Sequence, residues 1–519
     1  MQELKDVVTE LSSYQKRILL FSDTLFSISL ALLGATAFVL FYGGNLLVFA
    51  FICISLGIGS IGAFWRKSRL FIVGIFFVFF GGSIVWVYEK TDLSWADIYE
   101  GKEFSGEVSL IGEAIEEKTT QRIPIRFDSC LEGKCLHREA FIRTEKWESY
   151  RIGEKLSVSC IWEVPQFDEK TKTDWKRIFS SRGPFLFCFD RAPIRLGEED
   201  KNFKFSFVEV RKSAEERIAH ILPYPESALG GGLIFGGSSG LSEEWQEKFA
   251  HTSMTHIVAV SGYNITLLVQ YFGILAIGIG IRRQHSLWLS VVGIFLFIAM
   301  IGFPASGVRA GIMGTLALIA ISGGTLSNTL RALVIASACM VFFSPLILRY
   351  DVGFQLSVLA TLGIIVGAPF ITRLGIQKLS FFPKLFSEIA LTTFFAQLFV
   401  FPLIIKTFGF FSFLSFVANL CILWTLPLAM LGTLFALAVS VFGLVAGKIA
   451  GIFPWILLTY DMYIIDWLSQ YEKFSFSPEE VSPLFIIIYY VVLGGGFIWY
   501  HRWEKEKRRL RCSLYESSI

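Results

Sequence analysis

LFIVGIFFVFFGGSIVWVY, residues 70–88, runs for nineteen residues without a charge. A bilayer crossing needs about 20 apolar residues as a helix, so this stretch reads as a membrane span. Two further runs precede it, Leu19–Tyr42 and Leu46–Phe64. The three together read as an N-terminal membrane anchor, residues 1–88. The first run is too long for a signal-peptide core and more spans follow it, so it reads as retained.

Beyond residue 88 the character reverses. Between Glu89 and Pro223 there are 23 Lys and Arg against 26 Asp and Glu, 49 of the 91 charges in the chain. This is a soluble insert, and residues 89–222 read as one domain. The whole chain, 519 residues, is 53% hydrophobic and only 18% charged, with mean hydropathy +0.57. That excludes a disordered protein and argues against a soluble enzyme, because 52 phenylalanines lie mostly in long apolar runs that a bilayer hides. The net charge of +3 says nothing global about acidic partners.

After Pro223 the apolar runs resume: Ile257–Gly280, Leu287–Phe303, Val308–Ile321, Leu333–Leu348, Phe354–Ile371, Ile389–Phe408, Thr425–Val445, Ile449–Leu468 and Leu484–Tyr500. With the first three they predict a polytopic α-helical membrane protein of about twelve spans, residues 223–500 forming the main membrane domain. Ala228–Gly240 and Phe411–Cys421 are short or broken by glycine and read as re-entrant or interfacial segments. Lys16 and Arg17, then Arg66, Lys67 and Arg69, then Arg282 and Arg283, then Arg373, Lys378 and Lys384, and finally the basic tail 501–519 all fall on one side in this count. By the positive-inside rule that side is the cytoplasm. Both termini are then cytoplasmic and the insert extracytoplasmic.

Inside the insert, Phe104–Leu110, Arg122–Phe127, Glu139–Thr144 and Leu156–Trp162 alternate with period two and read as strands of a small β-barrel of OB type, a fold that often binds single-stranded nucleic acid or sugars. Val210–Leu222 reads as an amphipathic helix leading into the membrane. Arg177, Arg182, Arg191 and Arg195, interleaved with Trp175, Phe179, Phe185 and Phe187, read either as a stacking, phosphate-binding face or as a solvated face beside an aromatic core. Cys130, Cys135, Cys160 and Cys188 lie on the oxidising side, where disulfides form. Cys130 and Cys135, flanking a Gly-containing turn, are the expected pair, although four cysteines allow three pairings.

No catalytic residue, metal site or cofactor is expected. The six histidines form no zinc-binding cluster with aspartate, and GGGLIFGGSSG at 230–240 lacks the lysine and spacing of a phosphate loop. The chemistry lies in polar groups within apolar runs, where they are costly. HIVAVSGYNITLL at 256–268 carries His256, Ser261, Gly262 and Asn264, read either as a break lining a wet cavity or as helix packing. GFPASGVRAGIMG at 302–314 breaks the chain just before Arg309, whose guanidinium either faces a partner or a wet path or snorkels to the interface. Gln355 follows Arg349 and Asp351 in RYDVGFQLS, and Asn419 precedes Pro427. Asp461 and Asp466 read as a carboxylate pair or as ordinary residues of a span end.

HIVAVSGYNITLLV, GFPASGVRAGIMG, SNTLRALVIASACMVFFSPLILRYDVGFQLSVLATLGI and QLFVFPLIIKTFGFFSFLSFVANLCILWTLPL, in this order, resemble successive signatures of the ComEC family, inner-membrane channels of bacterial competence. The resemblance is specific from Leu229 to Leu431 and looser in the insert. It implies a channel for single-stranded DNA through the cell membrane during natural transformation, with His256, Ser261, Gly262, Asn264, Arg309, Gln355 and Asn419 along the DNA path. It also implies other competence proteins as partners: a DNA receptor, a cytoplasmic motor and a separate nuclease. Many members carry a C-terminal metallo-β-lactamase-like domain, which is not expected here. The competing expectation is a transporter or flippase of a small molecule or lipid-linked precursor on the same fold.

Overall fold

Alternation along the insert produces strands whose inward residues fill a barrel. The computed structural model describes residues 26–40, 68–91, most of 99–199, 203–258, 278–322, 329–373 and 380–497, with short gaps within these ranges, and a few single positions elsewhere. The span expected over Leu46–Phe64 (save Cys53), the basic tail 501–519, Ser261, Gly262 and the stretch 175–185 lie outside the described residues. The chain divides into two units. One comprises Met1–Gln246, Thr255–Val358 and Thr425–Met462, the other Glu247–Met254, Leu359–Trp424 and Tyr463–Ile519.

The first unit contains the barrel. Its strands are β1 (Glu103–Leu110), β2 (Ile115–Glu116), β3 (Thr120–Leu131), β4 (Lys134–Glu145), β5 (Glu154–Glu163), β8 (Phe187–Phe189) and β9 (Ile194–Glu199), with β6 (Phe167–Asp168) and β7 (Thr173–Asp174) as a separate small hairpin. The pairings run β1 to β3, β4, β8 and β5, and β5 returns to β1, so five strands close on themselves. The β4–β8 pairing is parallel and the others in the ring antiparallel. This is the strand order of an OB-like barrel. Closure leaves no unpaired edge between β1 and β5, where seven consecutive residues pair from Glu103↔Ile161 to Ser109↔Lys155.

Val108, Leu110, Ile123, Ile125, Phe127, Ile142, Leu156, Val158 and Trp162 point inward and are buried. The four predicted strands are present and longer than the alternation indicated. The closing strand, β8, was not legible as a strand, because it is only three residues long. Phe187 is buried, in line with the reading of its aromatics as barrel core, stacked on Phe141 at 5.6 Å and lying beneath the Arg143 guanidinium. Cys188 on β8 forms a disulfide with Cys160 on β5. Cys130 and Cys135 face each other in register across the β3–β4 hairpin, and their side chains lie outside the described residues.

Among the described residues three helices are long and apolar enough to cross a membrane: Val352–Phe370, Pro383–Phe408 and Leu444–Ser469. The broken pair Leu414–Ile422 and Leu426–Phe442 makes a fourth if it is one span. Phe26–Leu40, Ile75–Tyr88, Trp288–Met300, Thr329–Phe343 and Leu484–Phe497 are apolar but shorter. The run expected to cross over Thr425–Val445 hides a break. Helix Leu426–Val439 passes into a 3-10 turn, Ser440–Phe442, and a new helix starts at Leu444 after Gly443. An apolar glycine turn looks like helix to a hydropathy count.

Close helix contacts depend on missing side chains. In the second unit, a Cβ on Gly363 would lie 2.4 Å from the Phe395 backbone oxygen, and one on Gly367 would lie 2.4 Å from the Phe395 ring. Two glycines four apart thus let the backbones approach, as small residues do in membrane helix pairs. The Phe381–Phe408 helix contains Pro402, which has no N–H for the carbonyl of Leu398. The Tyr489 hydroxyl donates to that oxygen at 2.8 Å, and the Tyr490 hydroxyl donates to the Phe399 oxygen at 2.8 Å. A neighbouring helix thus supplies the donor that proline removes, as the absence of water in a bilayer requires.

Candidate functional site

Three groups of buried polar residues stand out in the first unit. The first surrounds the helix Glu226–Phe235. Ten residues rise about 15 Å, half of a bilayer, and a side chain from elsewhere in the chain bonds near each end. At its start the Thr459 hydroxyl donates to Glu226 Oε1 at 2.8 Å, and a carboxylate there also suits the positive end of the helix dipole. At its end the Asn264 amide donates to the Leu233 oxygen at 3.0 Å. The Gly237 N–H donates to the Val258 oxygen at 3.1 Å. Gly232 lies so close to Val258 that a Cβ would sit 3.0 Å from its side chain. The glycine-rich string therefore packs a short helix. The sequence reading of Ala228–Gly240 as too short for a full span agrees with that length, while Glu226 was missed: only its place before an apolar, glycine-rich run could have flagged it.

The second group joins Leu426–Val439 to Leu444–Ser469. The Thr425 hydroxyl donates to Asp461 Oδ1 at 2.6 Å, and Asp461 is 1% exposed with no hydrogen-bond partner for Oδ2 among the described residues. Asp461 and Asp466 are not a carboxylate pair. Asp466, in the second unit, forms an ion pair with Lys248 at 2.8 Å and is half exposed.

The third is Arg309, on the helix Ala305–Ser322. It is 6% exposed, and its Nε and Nη1 have no hydrogen-bond partner among the described residues. The snorkelling alternative fails, because the head group is not in solvent. Two faces of this helix are accounted for. Val308 and Ile312 pack into a cluster with Met340, Val341, Ile347 and Phe354, and Gly311 lies against Ile294 and Ile298. At 3.6 residues per turn Arg309 points away from Gly311, about 160° from it, and stands about 60–100° from Ile312 and Val308.

The other predicted residues are dispersed. His256 is exposed on the one-turn helix Thr255–Val258. Gln355 is half-buried and donates to the oxygens of Leu348 and Arg349 at 2.9 and 2.8 Å. Asn419 is buried on Leu414–Ile422 in the second unit, where Gln397 donates to the Ser415 hydroxyl at 2.6 Å. Among the described residues no group of three or more histidines, cysteines, aspartates or glutamates could hold a metal ion.

A family model described as "Competence protein" matches residues 233–503. The chain is 21% identical over 307 residues to "ComE operon protein 3" of Bacillus subtilis (strain 168), a match covering 58% of this chain and 38% of that relative. The chain thus spans well under two thirds of the curated relative it matches. No solved structure matches it.

Proposed function

Because the chain belongs to the competence protein family, we propose that it is a multi-pass protein of the cell membrane that conducts single-stranded DNA into the cytoplasm during natural transformation. The observation that carries this reading is Arg309: a buried guanidinium, inside the family region, with donors that no described residue uses. A phosphate backbone cannot enter hydrocarbon, so a conduit needs polar groups and a few cations facing a wet path rather than lipid. In this proposal Arg309 meets passing phosphates, and His256, Ser261, Gly262 and Asn419 add polar or flexible positions that do not hold the strand. Asn264 donates to one backbone oxygen and Gln355 to two, so both amides are at least partly held by the fold. The proposed role is transport, without a reaction.

The proposed topology has about twelve crossings, cytoplasmic termini and the barrel outside, on the length criterion. In its favour, Leu40 and Leu346, which that count puts on the same side as the insert, are both buried in the barrel core. The proposed organisation is anchor 1–88, barrel domain 89–222, channel domain 223–500 and basic tail 501–519. A DNA receptor, a motor and a nuclease are the proposed partners. Deleting the gene tests the reading. Transformation should be lost while DNA capture at the cell surface persists, and a deletion strain that transforms normally refutes it.

A further inference from the structure

The barrel core extends beyond its own strands. Leu40, ending the Phe26–Leu40 helix, and Leu346, after the Thr329–Phe343 helix, are buried in it, and Leu348 and Tyr350 pack against it. Leu348 also belongs to the second cluster, where Ile347 and Phe354 are buried and Val308 and Ile312 of the Arg309 helix pack. The segment 344–355 is therefore wedged between the barrel and the helix that carries Arg309.

Its own hydrogen bonds hold it in shape. The Asp351 carboxylate accepts from the Gly353 and Phe354 N–H groups at 2.9 and 3.4 Å, capping the helix Val352–Arg373. That cap takes the Gly353 N–H, which in a continuous helix would serve the Arg349 oxygen. Gln355 replaces it, its amide nitrogen donating to both the Leu348 and Arg349 oxygens. The Arg349 guanidinium in turn donates to the Leu40 oxygen. Both N–H bonds of the Gln355 amide are thus engaged within the segment.

We propose that residues 345–355 are the seat of the barrel, and that Gln355 is a positioning residue that fixes the barrel relative to the Arg309 helix instead of contacting the transported strand. The seat is a structural claim. Its necessity for uptake rests on the transport reading.

The test uses the full chain. Hydrogen exchange is followed on wild type, Gln355→Leu and Gln355→Glu in lipid nanodiscs, and uptake of labelled DNA is followed in cells expressing the same chains. Losing both donors should speed exchange of the 346–351 amides about tenfold or more, since the two bonds hold the segment against local opening. Exchange within Leu444–Ser469 should not change. Uptake should fall while surface-bound DNA stays constant. Lost uptake with unchanged exchange means that Gln355 acts on the strand, and unchanged exchange with full uptake means that it holds no seat; either overturns the proposal, whereas faster exchange upholds the seat whatever uptake does. If Gln355→Leu does not accumulate, Gln355→Glu, which also lacks the donors, carries the same comparison, and Arg349→Met, which removes the bond to Leu40, tests the seat by the same exchange measurement. If wild type takes up no DNA, the transport reading and the coupling fall together, and unchanged exchange would still refute the seat.

Discussion

Tyr489→Phe removes one hydroxyl, and its effect should depend on a proline in another helix. The hydroxyl donates to the Leu398 oxygen at 2.8 Å, and that oxygen lacks its helical donor because residue 402 is proline. An orphaned buried carbonyl costs about 1–3 kcal/mol, whereas hydrogen bonds between membrane helices average about 0.6 and reach about 1.7 kcal/mol. The expected loss for Tyr489→Phe is therefore about 1–2 kcal/mol, near the upper end for a membrane, because no backbone group stands ready to replace the donor. In a Pro402→Ala background the alanine N–H can pair with Leu398, so the same substitution should cost less than about 0.5 kcal/mol. Reversible unfolding of the purified protein in mixed lipid and detergent micelles, measured for wild type, both single variants and the double variant, gives the coupling directly. Equal losses in both backgrounds would refute the reasoning, as would no loss in the wild-type background.

Thr425→Val keeps the shape of the side chain but leaves Asp461 Oδ1 without its donor, and should destabilise by about 1–3 kcal/mol in the same unfolding assay. Gly363→Ala drives a methyl into a backbone oxygen that cannot move aside, so it should destabilise the protein more than Gly311→Ala, whose closest contact is the flexible end of Ile298. Arg309→Ala should abolish uptake without reducing the inserted protein, because removing a charge that costs about 3 kcal/mol on insertion scales does not hinder insertion; immunoblots of membranes beside uptake counts check it. Lys248→Ala breaks a half-exposed ion pair and should cost under about 1 kcal/mol, less still at high salt.

The parts of this fold that sequence made legible are those written in local periodicity. Nineteen uncharged residues at 70–88 announce a helix, and alternation over Leu156–Trp162 announces a strand with Leu156, Val158 and Trp162 inward. What remained hidden depends on partners far apart in the chain. Glu226 and Thr459, Thr425 and Asp461, and Leu398 and Tyr489 meet only when helices pack. The strand β8 carries too few residues for any alternation to register, yet it closes the barrel. The candidate site was legible as residue types and not as roles. Arg309 proved to be a buried charge with two nitrogens that no described residue bonds, while Gln355 and Asn264, equally conspicuous as polar residues in apolar runs, donate to backbone oxygens.

Uptake of labelled duplex DNA by a strain whose only gene of this family encodes this chain tests the central claim most directly. The account predicts that one strand's label becomes protected inside the cell and appears in transformants, and that both are lost in Arg309→Ala while surface binding is retained. Label that stays outside with the wild-type chain present and inserted would contradict it.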